Sequence, residues 1–197
     1  MTDLDISVFE PPESDWEVWR DLRLAALRDA PGAFGETLTA ALQRDEDNWR
    51  GAWRAEPPQP RFIAAIAGKP QGMCSIVLPA DHDFQPLIIA MWISPVARGR
   101  GLGPALLDAC VAWCRRNSFA RLRLGVVEDN EAAARLYARY GFRYDGTGEP
   151  LLSDPSKLVM WMELPIKTNA PADAVDPVPS LKPIAVPSPT LATEATA

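Results

Sequence analysis

Apolar positions along this chain recur at two spacings, and the alternation between them sets out the elements. Residues 5–9 read as a short first strand. Ser14-Asp-Trp-Glu17 has the form of a capping box, which predicts a helix carrying Trp16, Trp19, Leu22, Ala26 and Leu27 toward one side and stopped by Pro31-Gly32. A second helix is predicted from about residue 39 to 53, ahead of Pro57-Pro58. Runs over 61–67 and 71–78 are strand-like, and Gly68-Lys69-Pro70 between them reads as a hairpin turn. A loop over 79–86 leads into the apolar strand Leu87–Ile93. Then follow a helix from about 104 to 116, a strand over Arg121–Val127, a helix over Glu131–Tyr140 and two final strands, the last over 157–163. No internal repeat is present. This order predicts a mixed sheet with helices on both faces.

Composition changes sharply after Leu164. Residues 165–197 hold seven prolines, seven alanines and no aromatic residue, so they cannot bury enough apolar surface to offset their ordering entropy. The expected organisation is one folded domain over 1–164 and a disordered tail over 165–197. The length of 197 residues suits a single full core. A net charge of −6 argues against nucleic-acid binding and is compatible with a cationic amine as ligand. No apolar run reaches the ~20 residues that span a bilayer, and the acidic N-terminus lacks the order of a signal peptide, so the expected location is cytoplasmic. Three cysteines are too few for a disulfide framework. Cys110 and Cys114 share a helix face and read as buried thiols rather than metal ligands, so no metal is expected. His82, between Asp81 and Asp83, reads as a solvated loop residue.

Two motifs carry chemistry. Arg98-Gly99-Arg100-Gly101-Leu102-Gly103 lies between an apolar strand and a helix, where converging N–H groups suit a phosphate. A Walker loop is excluded because Pro104-Ala105 follows the last glycine, and a dinucleotide fingerprint because Pro104 takes the place of its third glycine. By itself the run reads equally as a strand-to-helix turn with no ligand. Beginning 27 residues beyond Gly103, Asn130, Ala133, Leu136, Tyr137, Gly141 and Phe142 stand at defined spacings. Together, the Arg-x-x-Gly-x-Gly pattern and this second segment resemble the GNAT superfamily of N-acetyltransferases, over roughly residues 5–164.

That resemblance implies an α/β (α+β) GNAT fold, with a mixed, mostly antiparallel sheet of about six or seven strands and about four helices. It implies acetyl-CoA as acetyl donor and a primary amine as acceptor, either a small molecule or a protein N-terminus. Arg98, Gly99, Arg100, Gly101, Leu102 and Gly103 would wrap the pyrophosphate, the glycines by leaving room for it. Main-chain atoms of Met91, Ile93 and Ser94 would pair with the pantetheine arm where a bulge splays the strand, and Asn130 would border the same cleft. Tyr137 would donate a proton to the departing thiolate, with Tyr140 the competing phenol. No general base is assigned; Glu128 and Asp129 are the nearest acids by position. The acceptor pocket would involve Phe34, Trp49, Trp53 and the loop 146–156. Homodimers are common among such proteins, though no interface pattern is legible. Two other readings fit the same residues: an acyl-CoA-binding regulatory module without turnover, and an acyltransferase using a different acyl-CoA.

Overall fold

The computed structural model describes residues 5–55, 59–80 and 84–167. His82 and residues 168–197 of the expected tail lie outside them. Seven strands form one sheet: β1 (Ile6–Phe9), β2 (Arg61–Ile66), β3 (Lys69–Val77), β4 (Leu87–Ile93), β5 (Arg121–Val127), β6 (Arg143–Leu151) and β7 (Asp154–Pro165). Their order is β1-β2-β3-β4-β5-β7-β6, with β4 and β5 parallel and every other pair antiparallel. The helices are α1 (Trp16–Asp29), α2 (Leu38–Leu42), α3 (Glu46–Gly51), α4 (Leu102–Arg116) and α5 (Glu131–Tyr140).

The period-2 pattern divides the core. On β2 and β3, Phe62, Ala64, Cys74 and Ile76 face α4 and α5, while Ile63 and Met73 face α1 to α3. The larger cluster centres on Leu106, Leu107, Cys110, Leu122 and Phe142, all fully buried. Phe142→Ala is expected to cost about 3–5 kcal/mol of stability, the range for truncating a buried phenylalanine. Denaturant unfolding checks this; a loss below about 1 kcal/mol would mean the site collapses around the cavity.

Several local expectations change in the structure. The capping box does not form: Asp15 is the N-cap of α1 without a side-chain cap, and Ser14 Oγ donates instead to Asp15 Oδ1 at 3.1 Å. The predicted second helix is two short ones. Thr37 Oγ1 accepts from Ala40 N at 3.2 Å and Asp45 Oδ1 from Asn48 N at 2.8 Å, so each piece has its own start signal. The hairpin turn is Ala67-Gly68, both at positive φ, and Lys69-Pro70 already belong to β3. Pro165 closes β7, and Ile166 is buried with its N–H on Ala120 O at 2.8 Å, so the fold runs past residue 164.

β4 is the irregular strand. Met73 pairs with Trp92 and Ser75 with Ile89, so β4 carries one extra residue between them. Ala90 there has φ +55, a left-handed conformation unusual for a residue with a Cβ, and marks the bulge. Against β5 only Leu87 and Ile88 are paired. Beyond the bulge the two strands part, and the sheet opens in its middle.

Candidate active site

The glycine loop sits at the end of β4. A single 3₁₀ turn, Pro95–Ala97, leads to Arg98, and Gly99 and Gly101 then take φ +75 and +93. Those left-handed angles are what glycine supplies here, because a Cβ on Gly101 would meet only Ile6 at an ordinary 3.5 Å. Gly101 is the N-cap of α4, with no side-chain cap, and the first helical bond runs from Ala105 N to Gly101 O at 3.2 Å. The N–H groups of Leu102 and Gly103 therefore have no helical partner and lie at the positive end of the helix dipole. Pro104, inside the first turn, adds none. Gly103 has a packing role beside the one its sequence suggests. A Cβ there would stand 2.9 Å from Leu136 Cδ2, so its absence lets α5 approach α4.

Arg98 is held from the protein side. Its Nε donates to Ile93 O at 3.1 Å, and its Nη2 pairs closely with Asp29 Oδ2, which also accepts from Trp92 Nε1 at 2.9 Å. Asp29, the last residue of α1, thus ties that helix to β4 and the loop; the sequence reading did not single it out.

A cavity of about 800 Å³ lies between the end of β4, the glycine loop, the first turns of α5 and the end of α1. Met91, Ile93, Arg98, Gly99, Gly101, Leu102, Gly103, Asn130 and Tyr137 all line it. Ser94 and Arg100 are not among its lining. Ser94 N donates to Gln71 O and Ser94 O accepts from Ala97 N, each at 2.8 Å, so both main-chain groups are occupied. Arg100 is exposed.

The second motif resolves position by position. Asn130 caps α5, its Oδ1 accepting from Ala133 N at 3.2 Å. Leu136 packs over Gly103, Gly141 ends the helix at φ +125, and Phe142 fills the core. Tyr137 stands at the sheet opening, 6% exposed, and burial among apolar groups pushes its phenol above the ordinary value, with Cys74 and Cys110 adding to the shift. Tyr140 Oη instead donates to Asp108 Oδ1 at 2.6 Å, and Tyr140 lines neither large cavity.

A second cavity, about 470 Å³, lies across the sheet on the α1–α3 side. It shares Ala33, Phe34, Met91, Asn130, Ala133 and Tyr137 with the first, so the two meet at the parted strands. Trp49 lines it, as do Glu149, Pro150, Leu151 and Leu152 of the β6–β7 hairpin; Trp53 does not, and stacks under Arg61 at 4.5 Å. Ser153 Oγ donates to Phe34 O at 2.6 Å, tying that hairpin to the α1–α2 connection. Arg23, Glu36, Arg44 and Arg61 also line this cavity and were not assigned to it from sequence. Burial lowers the Arg23 pKa against the opposing pull of Glu36, and burial brings Arg61 to about 10. Both stay cationic at neutral pH. A signal for Arg23 was available: it lies on the inward stripe of α1, between Trp19 and Leu27.

The acids near the end of β5 are engaged. Glu128 Oε1 accepts from Leu158 N at 3.2 Å, and Asp129, at the edge of the larger cavity, pairs with Lys157 at 2.5 Å. Cys74, Cys110 and Cys114 are free, fully buried and outside both linings. Among the described residues no cluster of ligands could hold a metal.

The buried thiols give a pH prediction. Contact with Cys74 and burial raise Cys110, and burial raises Cys114 to about 12. An unfolded thiol titrates near 8.5, so above that pH the unfolded chain loses protons that the folded chain keeps. Stability is therefore full below about pH 8.5 and declines as pH rises toward the folded values. Guanidinium midpoints should fall steadily between about pH 8.5 and 10.5; a flat or rising midpoint contradicts this.

Comparison with known proteins bears on the family and the fold. The model of the acetyltransferase (GNAT) family matches residues 16–142. A phosphinothricin N-acetyltransferase of Streptomyces coelicolor is 39% identical over 151 residues, which cover 73% of this chain and 85% of that protein. A mycothiol acetyltransferase of Acidothermus cellulolyticus is 28% identical over 159 residues, covering 74% of this chain and 46% of its own length. The chain thus spans about half the length of the mycothiol acetyltransferases it matches. The structure of yncA from Salmonella typhimurium, solved with acetyl-CoA, superposes with a TM-score of 0.68 at 18% identity over 86% of this chain and 99% of that one, a likeness of fold.

Proposed function

Because the chain belongs to the GNAT family of acetyltransferases, we propose that it moves an acetyl group from acetyl-CoA to a primary amine by direct attack in a ternary complex. The observation that carries this reading is the meeting of two cavities at Tyr137, Asn130 and Met91 through the gap between β4 and β5. A donor in one cavity and an acceptor in the other would meet at these shared residues.

Acetyl-CoA supplies an acetyl group activated as a thioester. Its pyrophosphate would rest on the Leu102 and Gly103 N–H groups, in a loop whose shape is set by Gly99 and Gly101 and held by Arg98. The left-handed glycines and the uncapped helix start fit that group. The main chain of Met91 and Ile93, released from β5 by the bulge, would pair with the pantetheine arm as an added strand. The amine nitrogen, as free base, forms the new C–N bond, the C–S bond breaks, and sulfur leaves with the electron pair. Tyr137 holds its proton at neutral pH and donates a hydrogen bond to the developing thiolate. The proton shed by nitrogen passes to water, since Glu128 and Asp129 are otherwise engaged. The position of all three cysteines outside both cavities supports direct transfer over an acyl-enzyme. Among the described residues no helix is long and apolar enough to cross a membrane. The free thiols favour a reducing compartment, and we place the reaction in the cytoplasm.

Thiol release over a panel of small amines and peptides, with mass analysis of the products, tests the reading. Amine-dependent release with an N-acetylated product is expected. Saturable acetyl-CoA binding without release to any acceptor would favour the regulatory module instead.

A further inference from the structure

The cavity on the α1–α3 side is cationic although the chain as a whole carries −6. Its lining holds three guanidiniums, Arg23, Arg44 and Arg61, against two carboxylates, Glu36 and Glu149, a net +1. Glu149 and Arg44 are exposed, whereas Arg23 and Arg61 are buried, and Glu36 is the carboxylate that faces the arginines from within.

Arg23 is 9% exposed. Its Nε and Nη2 both donate to Glu36 Oε2, at 3.2 and 3.1 Å, and its plane lies 4.5 Å from the Phe34 ring centre. Glu36 is shared, its Oε1 accepting from Arg44 Nη2 at 2.8 Å. Arg23 Nη1 is buried and has no hydrogen-bond partner among the described residues. Arg61, 7% exposed, donates Nη1 to Gln59 O at 2.9 Å and is stacked on Trp53 and Trp19.

Burying a guanidinium costs several kcal/mol unless its donors are met, and apolar residues of like volume would fill a core at less cost. Arg23 keeps one buried donor, Nη1, without a partner among the described residues. Arg61 adds a second positive charge, fixed by aromatic faces, in the same cavity lining, a combination that suits a carboxylate or another oxyanion. Low-dielectric walls strengthen that field locally, whatever the net charge outside. We propose that the acceptor is a small amine that also carries an oxyanion, read by Arg23 and Arg61 while its nitrogen points to Tyr137. This deepens the acetyl-transfer reading of the same site and rests on it. It reverses the suggestion drawn from net charge, since a polycationic amine would meet like charge. A volume of about 470 Å³ suits a free metabolite, with the β6–β7 hairpin tied across the α1–α2 connection.

The test uses the full chain saturated with acetyl-CoA and amines paired as a carboxylate (anionic) member and its amide (neutral) counterpart: L-methionine with L-methioninamide, L-glutamine with L-glutaminamide, and 4-aminobutanoate with 4-aminobutanamide, plus cadaverine as a dication. Binding of each is read by calorimetry and turnover by thiol release. In at least one pair the anionic member is expected to lead by about 10-fold in kcat/KM or affinity, the effect of one charge-assisted contact, with cadaverine poorest. Arg61→Gln, and the charge-balanced double variant Arg23→Gln/Glu36→Gln, should remove that lead by raising KM for the anionic member. Acetyl-CoA affinity should stay at the wild-type value, which reports an intact fold. Equal or better use of the neutral members in every pair overturns the inference, as does a lead that survives both variants. Anion-selective binding without any acetylation would instead refute the transferase reading and leave the anion site standing.

Discussion

Tyr137→Phe is expected to lower kcat by about 10²-fold, the low end of what a positioned proton donor contributes, with acetyl-CoA affinity changed by less than about 2-fold. The ring itself is structural, 6% exposed and edge-on to Phe142 at 6.0 Å, and phenylalanine preserves that packing. Only the hydroxyl of a residue that lines both cavities is lost. Burial raises this phenol above its ordinary pKa, so it stays protonated through neutral and mildly alkaline pH. Ionisation of Tyr137 should therefore impose no fall in kcat below about pH 10. Tyr140→Phe is the control, because that hydroxyl is bonded to Asp108, and it should leave kcat within about 2-fold. Equal losses in the two variants, or none in either, would remove Tyr137 from the chemistry.

Gly101→Val is expected to weaken acetyl-CoA binding by at least about 10²-fold while leaving the far-ultraviolet circular dichroism of the folded chain in place. Valine at φ +93 is strained by about 1–3 kcal/mol, and the loop relieves that strain by rotating the N–H groups that open α4. Strain alone gives roughly one to two orders of magnitude, and loss of the converged donors adds to it. The expected failure is local, since nothing crowds Gly101 and a side chain there disturbs no core contact. Gly103→Ala is different in kind: its Cβ presses on Leu136 and acts through the α4–α5 packing. Wild-type affinity in Gly101→Val would mean that the loop does not hold the cofactor.

The elements that position the site were legible because local chemistry specifies them. The strand Leu87–Ile93, the glycine run and the Asn-capped helix from Glu131 carry signals that depend on neighbouring residues alone. Three features were not legible for physical reasons. The break between α2 and α3 follows from an Asp45 cap that the apolar periodicity on either side obscures. The role of Gly103 depends on Leu136, 33 positions away, and no local pattern announces such a contact. The N–H of Ser94 goes to Gln71, on another strand, and Ser94 is not among the cavity lining. The proposed acceptor cavity was the least legible part, since Arg23, Glu36 and Arg61 come from separate elements and meet only when α1 docks on the sheet. Charge summed over the chain pointed the other way.

Calorimetric titration of the wild-type chain with acetyl-CoA decides whether the glycine loop holds the cofactor. Saturable binding is expected at one site per chain in the micromolar to submillimolar range, lost in Gly101→Val and kept in Tyr137→Phe. No saturable binding by the wild type, or binding indifferent to Gly101, would contradict that role of the loop.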